Sequence, residues 1–512
     1  MRKHILLLCL SIWALSCTRN PAFELTVYDP MDKMCCSEFA DTSSLARGET
    51  LSIQVKLRSG QAITVEGISL EDRLFDDIEV WRVGNVRSTY HYSPPASDRL
   101  YGDCFPDILY YTDFPEPLEQ EATYFIEARV SRDARPGVYR PKLKFRTSAG
   151  TQTMPVPVKI YPVTLEKQSL KLVNWIFDDL RDSSIVRYSD EYFREMAEIV
   201  RLASRYGQNV WKIPEGTDRT EAPYDFSIFN RYVELFLDNA EDVELIAGNH
   251  IGGRSQSRWT DPIVSRIPDV EGYVAALYDN LCSHKMEDGR SWADIYVQHV
   301  ADEPIECNIA DWESLARRVK ATAPLKIIEA YRTPFYNPGL IDIIVPQLDE
   351  VSWPSYTSNP QGGQSEKWFY TCMYPLWDYP NRFVELPLGK TRILHWMNFR
   401  FGFTGYLHWG LNYWAGAENP LEDLSNPASM WPGGDAMLFY RLGGRTLPSL
   451  RAAAMRDGVN DHTLLTMLAR RDSTAADRIC REIIENEYTC DCTPASIRKQ
   501  RKEILELLAG EE

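Results

Sequence analysis

From Leu170 onward the chain alternates between short apolar runs of strand length and longer runs whose apolar residues recur at helical spacing. Few folds accommodate that alternation; it calls for a parallel sheet whose strands are joined by crossing helices. Strands are predicted over Leu172–Phe177, Asn209–Ile213, Val243–Ala247, Ile295–Ala301, Lys326–Tyr331, Ile341–Gln347, Lys367–Cys372 and Gly405–Leu411. Between the first two, Tyr192, Met196, Ile199, Val200 and Ala203 fall on one face of a helix over Asp190–Tyr206, with Asp190 as its N-cap and Gly207 as its stop. Further helices are predicted over Phe226–Leu237, Glu271–Met286 and Asp311–Ala323, the last capped by Asp311 with Pro324 beyond it. Strands alternating with helices in this way predict an α/β fold, a (β/α)8 TIM-like barrel over residues 170–446, with irregular crossovers after the sixth and seventh strands.

Such a barrel builds its site at the carboxyl ends of its strands. The fourth predicted strand runs into Asp302-Glu303-Pro304, and Pro304 cannot donate to a sheet ladder, so the strand ends there. Two adjacent acids in a partly desolvated cleft are costly to ionise together, which raises the pKa of one of them. A protonated acid beside an ionised one is what cleavage of a glycosidic bond requires. A lone Asp-Glu-Pro is ordinarily a solvated turn, so the weight rests on its place in the barrel. Other strand ends present Trp175, His250, Tyr331, Gln347, Tyr370 and Trp409 as candidate substrate-binding residues. Trp175 and Trp409 also suit a packed core, and His250 suits a structural histidine.

Before the barrel, residues 21–165 read as an all-β region. Leu51, Ile53, Val55 and Leu57 alternate with polar residues, and Phe125–Val130 forms another strand. Pro136-Gly137 marks a tight turn from which Lys142–Phe145 returns as a partner strand, and Met154–Val163, with its prolines, reads as an edge strand or linker. A β-sandwich that buttresses the barrel is predicted. Residues 447–512 read as helices packed on the barrel, one of them starting at Thr493-Pro494.

The formal net charge of −17 disfavours nucleic acid as a partner, since phosphates would be repelled. At the amino terminus Arg2 and Lys3 precede an apolar run from Ile5 to Leu15, too short to span a bilayer, which ends in Ser16-Cys17. Residues 1–17 are therefore expected to be a lipoprotein signal peptide with Cys17 as the lipidated residue, giving an exported protein tethered to the cell envelope, facing the periplasm or the outer surface. The remaining cysteines show no pairing that can be assigned, and no His/Cys cluster has metal-ligand spacing. No metal and no cofactor are expected.

Three segments together resemble the DUF4091 domain, the catalytic part of glycoside hydrolase family 123. They are Trp368-Phe369-Tyr370-Thr371-Cys372-Met373-Tyr374-Pro375, Gly405-Tyr406-Leu407-His408-Trp409-Gly410-Leu411-Asn412-Tyr413-Trp414 and Ala454-Met455-Arg456-Asp457-Gly458-Val459-Asn460-Asp461. The resemblance implies a β-N-acetylgalactosaminidase in which the sugar's own acetamido oxygen attacks the anomeric carbon. By that pattern Glu303 is the general acid and then base, and Asp302 holds the acetamido N–H. Trp409 and Tyr370 are carried over as aromatic walls. His408 and Leu394-His395-Trp396 depart from the family pattern, which leaves the sugar open. Two further readings stand beside this one: a glycosidase of the same fold acting on a different sugar, and a surface glycan-binding lipoprotein without catalysis.

Overall fold

A computed structural model of the chain describes residues 22–91, 100, 102–218, 220–332, 339–352, 365–416, 419–425 and 431–510. The signal segment and Cys17 lie outside the described residues. No helix among the described residues is long and apolar enough to cross a membrane.

Eight parallel strands form the barrel: β1 Lys171–Asn174, β2 Val210–Lys212, β3 Leu245–Ala247, β4 Tyr296–Gln298, β5 Lys326–Ala330, β6 Ile343–Val345, β7 Glu366–Tyr370 and β8 Gly405–His408. Each lies inside a run predicted from sequence or within one residue of it, and they neighbour one another in chain order, with β8 returning to pair with β1. The β1/β2 seam carries no ladder; Asn209 closes it instead, its backbone N–H donating to Leu172 O at 3.2 Å and its side-chain oxygen accepting from Leu172 N at 2.9 Å. Alternate residues of each strand point inward, so Val173, Val210, Ala247, Val297, Ile328, Val345, Trp368 and Leu407 make one interior cluster. Trp368 fills the middle, opposite Gly405, where a Cβ would stand 2.3 Å from the indole.

Around the barrel run α1 Asp190–Arg205, α2 Ser227–Asn239, α3 Val270–Ser283 and α4 Ile309–Thr322, then α5 Leu388–Arg392 and α6 Leu394–Phe401 between β7 and β8. Two predicted caps shift. Ser189, not Asp190, caps α1 by accepting from Tyr192 N at 3.2 Å, which leaves Asp190 in the first turn, where its charge meets the helix dipole. Asn308 occupies the N-cap position of α4, and the Asp311 carboxylate accepts from Ile263 N at 3.2 Å instead.

The N-terminal region is a sandwich of two antiparallel sheets. One orders Phe23–Tyr28, Thr50–Ser59, Glu121–Val130, Phe75–Arg87 and Cys104–Tyr111; the other orders Gly150–Pro155, Lys142–Thr147, Ile63–Glu71 and Glu116–Leu118. Val55, Leu57, Ile126, Val65, Leu143 and Phe145 are buried between them. The predicted pairing of Lys142–Phe145 with Phe125–Val130 is corrected: the chain crosses to the opposite sheet, so Lys142–Thr147 pairs with Ile63–Glu71 and Gly150–Pro155. Gly137–Tyr139 is itself a short strand on Val158–Thr164.

Helices α7 Leu450–Ala469, α8 Ser473–Ile483 and α9 Pro494–Ala509 follow the barrel, and Thr493 caps α9 with Pro494 in its first turn. Buried ion pairs join them to the rest. Asp461 on α7 accepts from Arg392 Nε at 2.7 Å and Arg501 Nη1 at 2.5 Å, while Arg501 Nη2 reaches Glu49 of the N-terminal region at 2.9 Å. Burial alone would raise the Asp461 carboxyl; the two guanidiniums hold it below the usual carboxylate range. Removing that carboxylate breaks a buried pair with each of two guanidiniums, leaving Arg501 on Glu49 and Arg392 on Asp457 alone. Asp461→Ala should cost about 3–5 kcal/mol, seen as an earlier urea midpoint; a loss below about 1 kcal/mol would show the network to be slack.

Candidate active site

Extending the inward alternation past each strand end predicts the lining of the barrel mouth. From Val173 it leads to Trp175, from Val210 to Lys212, from Ala330 to Arg332, from Trp368 to Tyr370 and Cys372, and from Leu407 to Trp409. A cavity of about 700 Å³ opens there, and Trp175, Asp302, Glu303, Arg332, Tyr370 and Trp409 all line it.

Asp302 and Glu303 sit half-buried at the mouth, beyond the end of β4. Glu303 adopts φ 43°, a left-handed conformation that costs a non-glycine residue about 1–3 kcal/mol. Arg254 holds it there: its two terminal nitrogens donate to the carbonyls of Asp302 and Glu303, each at 2.8 Å. Arg254 comes from the hairpin of Gly252–Arg254 and Ile263–Ser265, and its guanidinium stacks 3.7 Å over the Trp259 ring. The Tyr370 hydroxyl donates to Glu303 Oε1. Burial pushes Glu303 up to about 7, and the neighbouring Asp302 charge adds to this; Tyr370, Arg332 and Arg254 work the other way. Burial raises Asp302 as well, with His250, Arg254 and Lys212 opposing and Glu329 assisting.

The opposite wall is aromatic. Trp409 meets Tyr413 at 5.5 Å and Trp431 at 5.3 Å between ring centroids. Asp435 fixes Trp409 by accepting from its Nε1 at 3.0 Å. His408 Nδ1 accepts from Gly410 N at 3.1 Å, which places the ring proton on Nε2, 3.3 Å from the other Asp435 oxygen. Burial pushes Asp435 up to about 7. Arg332 pairs with the buried Glu350 at 3.3 Å. Trp259 and Tyr374 stand half out of the protein at the rim, 52% and 41% exposed.

The other candidates fall elsewhere. Tyr331 is a correction: with Ile328 and Ala330 inward, it must point outward, and it is fully buried against Trp312 of α4 at 5.7 Å. Arg332, one residue on, takes the cavity position. Gln347 stays beneath the lining, its amide donating to Cys372 Sγ at 3.3 Å. His250 lies behind Trp175, ring centroids 5.5 Å apart, beside His299 at 4.9 Å. Burial lowers His299 to about 4, so that ring is neutral. Arg254, Trp259, Glu350, Trp431 and Asp435 lie beyond the barrel strands, in segments whose paths no periodicity sets; the arginines Arg254 and Arg258 just before Trp259 were the available signal in the sequence.

A parallel barrel whose mouth gathers a raised acid, an adjacent carboxylate and aromatic walls is the arrangement of a glycoside hydrolase, and the chain is one. Residues 265–468 match the model of the Glycoside hydrolase 123, catalytic domain. The chain is similar to a family 123 glycoside hydrolase from Clostridium perfringens, solved in a study of glycolipid glycan hydrolysis, with TM-score 0.71 and 14% identity over 96% of this chain and 98% of that one. An endo-β-1,4-mannanase from Thermotoga petrophila aligns at TM-score 0.33 and 9% identity over 58% and 77% of the two chains. No curated protein sequence matches.

Because the Tyr370 hydrogen bond lowers the Glu303 pKa, Tyr370→Phe should move the Glu303 titration above its position near 7. Carboxyl-region difference infrared spectra, with Glu303→Gln assigning the band, would read it; a downward shift would contradict the assignment.

Proposed function

We propose that the protein is a retaining, exo-acting β-N-acetylgalactosaminidase that releases terminal β-linked N-acetylgalactosamine from glycans or glycolipids with the sugar's acetamido group as nucleophile. The observation that carries this reading is the placement of the acids. Asp302 and Glu303 are neighbours on one strand end, and what reaches Glu303 from β7 is a phenol, Tyr370. A conventional retaining pair flanks the scissile bond from separate elements. Asp435 is engaged with Trp409, and Glu350 with Arg332. The similarity to an enzyme described by its hydrolysis of glycolipid glycans supports the substrate class.

Glu303 enters the cycle protonated. Tyr370 occupies Oε1 as donor, so the acid proton resides on Oε2, the oxygen left for substrate. Glu303 gives that proton to the leaving oxygen as the acetamido carbonyl oxygen attacks the anomeric carbon; the glycosidic bond breaks and an oxazolinium ion forms. Asp302, as the anion, accepts from the acetamido N–H and faces the growing positive charge. Glu303, now a carboxylate, takes a proton from water as the water opens the oxazolinium ring, and the sugar leaves with its configuration retained. Trp409 and Trp175 press the ring and the acetamido group into the attacking pose. The residues need no cofactor for these steps.

Release of nitrophenol from the β-N-acetylgalactosaminide, with the β-N-acetylglucosaminide and β-galactoside beside it, tests the reading. Cleavage of the β-N-acetylgalactosaminide alone is expected; turnover of the galactoside would sink acetamido participation, and preference for the β-N-acetylglucosaminide would change the sugar. Silence on all three would favour another sugar or a glycan-binding role. The protonated form of Glu303 is present below its pKa, so activity should fall as pH rises through about 7. Glu303→Gln should lower kcat by about 10²–10⁴ on poor leaving groups.

Export and a lipid tether at Cys17 belong to the same proposal and rest on the Ile5–Leu15 run and Ser16-Cys17. Palmitate labelling that vanishes in Cys17→Ala would support the tether, and label retained in that variant would remove it.

A further inference from the structure

Behind the Trp175 wall lies a group of side chains that the proposed reaction does not use. His250, His299 and Glu329 converge there from the ends of β3, β4 and β5, and one ligand atom from each lies within 4.8 Å of the others. All three are withdrawn from solvent: the His250, His299 and Glu329 side chains are 6%, 1% and 0% exposed.

Their hydrogen bonding is unusual for a packed interior. Glu329 Oε2 accepts from Val300 N at 2.8 Å, Ala301 N at 2.9 Å and Trp312 Nε1 at 3.0 Å, which fixes the carboxylate and turns Oε1 toward the histidines. Oε1 stands 3.2 Å from His299 Nδ1, and no lysine or arginine among the described residues forms an ion pair with this carboxylate. His250 Nδ1 is anchored by Glu215 Oε1 at 3.3 Å. Nε2 of His250 and Nε2 of His299 are buried with no hydrogen-bond partner among the described residues. Leaving buried polar atoms unpaired is costly. A fold that keeps the unpaired His250 nitrogen close to the His299 ring and a fixed carboxylate holds a place for something that binds to nitrogen and oxygen lone pairs.

We propose that His250, His299 and Glu329 form a binding site for a divalent transition-metal ion, zinc by its ligand chemistry. Two imidazoles and a carboxylate suit zinc, whereas magnesium and calcium take oxygen ligands. Ligand atoms around a tetrahedral zinc lie about 3.3 Å apart; the contact between His299 Nδ1 and Glu329 Oε1 has that spacing, so His299 would ligate through Nδ1 and His250 through its unpaired Nε2. The outer partners are also in place, a carboxylate on His250 and three N–H donors on Glu329, and such contacts orient metal ligands. The Lys212 ammonium is a neighbour, 4.9 Å over the Trp175 ring and 3.8 Å from the Glu215 oxygen that anchors His250, and it is held by Asn249 Oδ1 at 3.3 Å and Ile213 O at 3.4 Å. A bound ion would lock both imidazoles, and with them Trp175, whose ring packs at 5.5 Å on one and 5.6 Å on the other. Its role is to hold the wall of the sugar site, and the acid chemistry of Asp302 and Glu303 proceeds without a step through it.

The test uses the full chain, stripped of metal and titrated with zinc chloride by calorimetry, with cobalt chloride as an optical probe. Wild type should bind one zinc per chain and melt at a higher temperature with zinc than without. His250→Asn should bind at least tenfold more weakly while its metal-free melting point matches that of metal-free wild type. Cobalt should give visible ligand-field bands without a thiolate charge-transfer band. If His250→Asn fails to fold, anomalous scattering from wild-type crystals grown with zinc supplies the answer, with the peak expected between His250, His299 and Glu329. Absence of stoichiometric binding, equal binding by His250→Asn, or a thiolate band from a cysteine site would each overturn the assignment. None of these outcomes bears on whether the acetamido sugar is cleaved, so the two proposals fail independently.

Discussion

Two carboxyl groups on consecutive residues, drawn into a half-closed cavity, cannot both carry charge without penalty. That constraint organises the mouth of the barrel. Burial raises both carboxyls; the Asp302 charge adds to the rise at Glu303, which reaches about 7, while His250, Arg254 and Lys212 oppose the rise at Asp302. In the proposed reaction this difference separates the two neighbours into an acid and a base. The separation depends on backbone placement: Arg254 grips both carbonyls, and Glu303 accepts a left-handed φ of 43° that turns its carboxyl toward Tyr370.

The remainder of the molecule keeps that arrangement still. The barrel interior is filled by Val, Ile, Leu and the Trp368 indole, which leaves the strand ends little freedom to shift. The seam between β1 and β2, where no ladder forms, is held by Asn209, so the Trp175 side of the cavity is anchored through a side chain. Below, Arg501 binds Glu49 and Asp461 at once, and Arg451 on α7 meets Asp107 of the N-terminal sheets at 2.9 Å. These buried pairs tie the N-terminal region and the C-terminal helices together and connect the latter, through Arg392, to the crossover before β8.

Much of this was legible in the order of residues. Strands and helices were found because apolar periodicity changes from two to 3.6 at Leu170 and because the barrel strands are too apolar to read otherwise. Trp175, Tyr370 and Trp409 followed from their places at strand ends, and the acid step from its place after β4. Tyr331 was misplaced by one residue: the period-two rule that finds strands also decides which side of them faces the cavity, and Ile328 and Ala330 already point inward. The pairing of Lys142–Thr147 was misread because a Pro-Gly turn signals a change of direction without saying whether the chain stays in its sheet. Arg254 and Asp435 were illegible for a different reason: they reach the site from segments beyond the strands, whose paths no local spacing encodes. His250, His299 and Glu329 stand at or near the ends of three neighbouring strands, and only the closing of the barrel brings them together.

The central claim is that the substrate supplies the nucleophile and that Asp302 and Glu303 serve it. A galacto-configured thiazoline, which imitates the bicyclic oxazolinium and cannot be opened, tests this most directly. It should inhibit wild type competitively and far more tightly than N-acetylgalactosamine, and Asp302→Ala should lose most of that preference, because the anion facing the ring nitrogen is gone. Equal, weak inhibition by the thiazoline and by the free sugar would contradict the account.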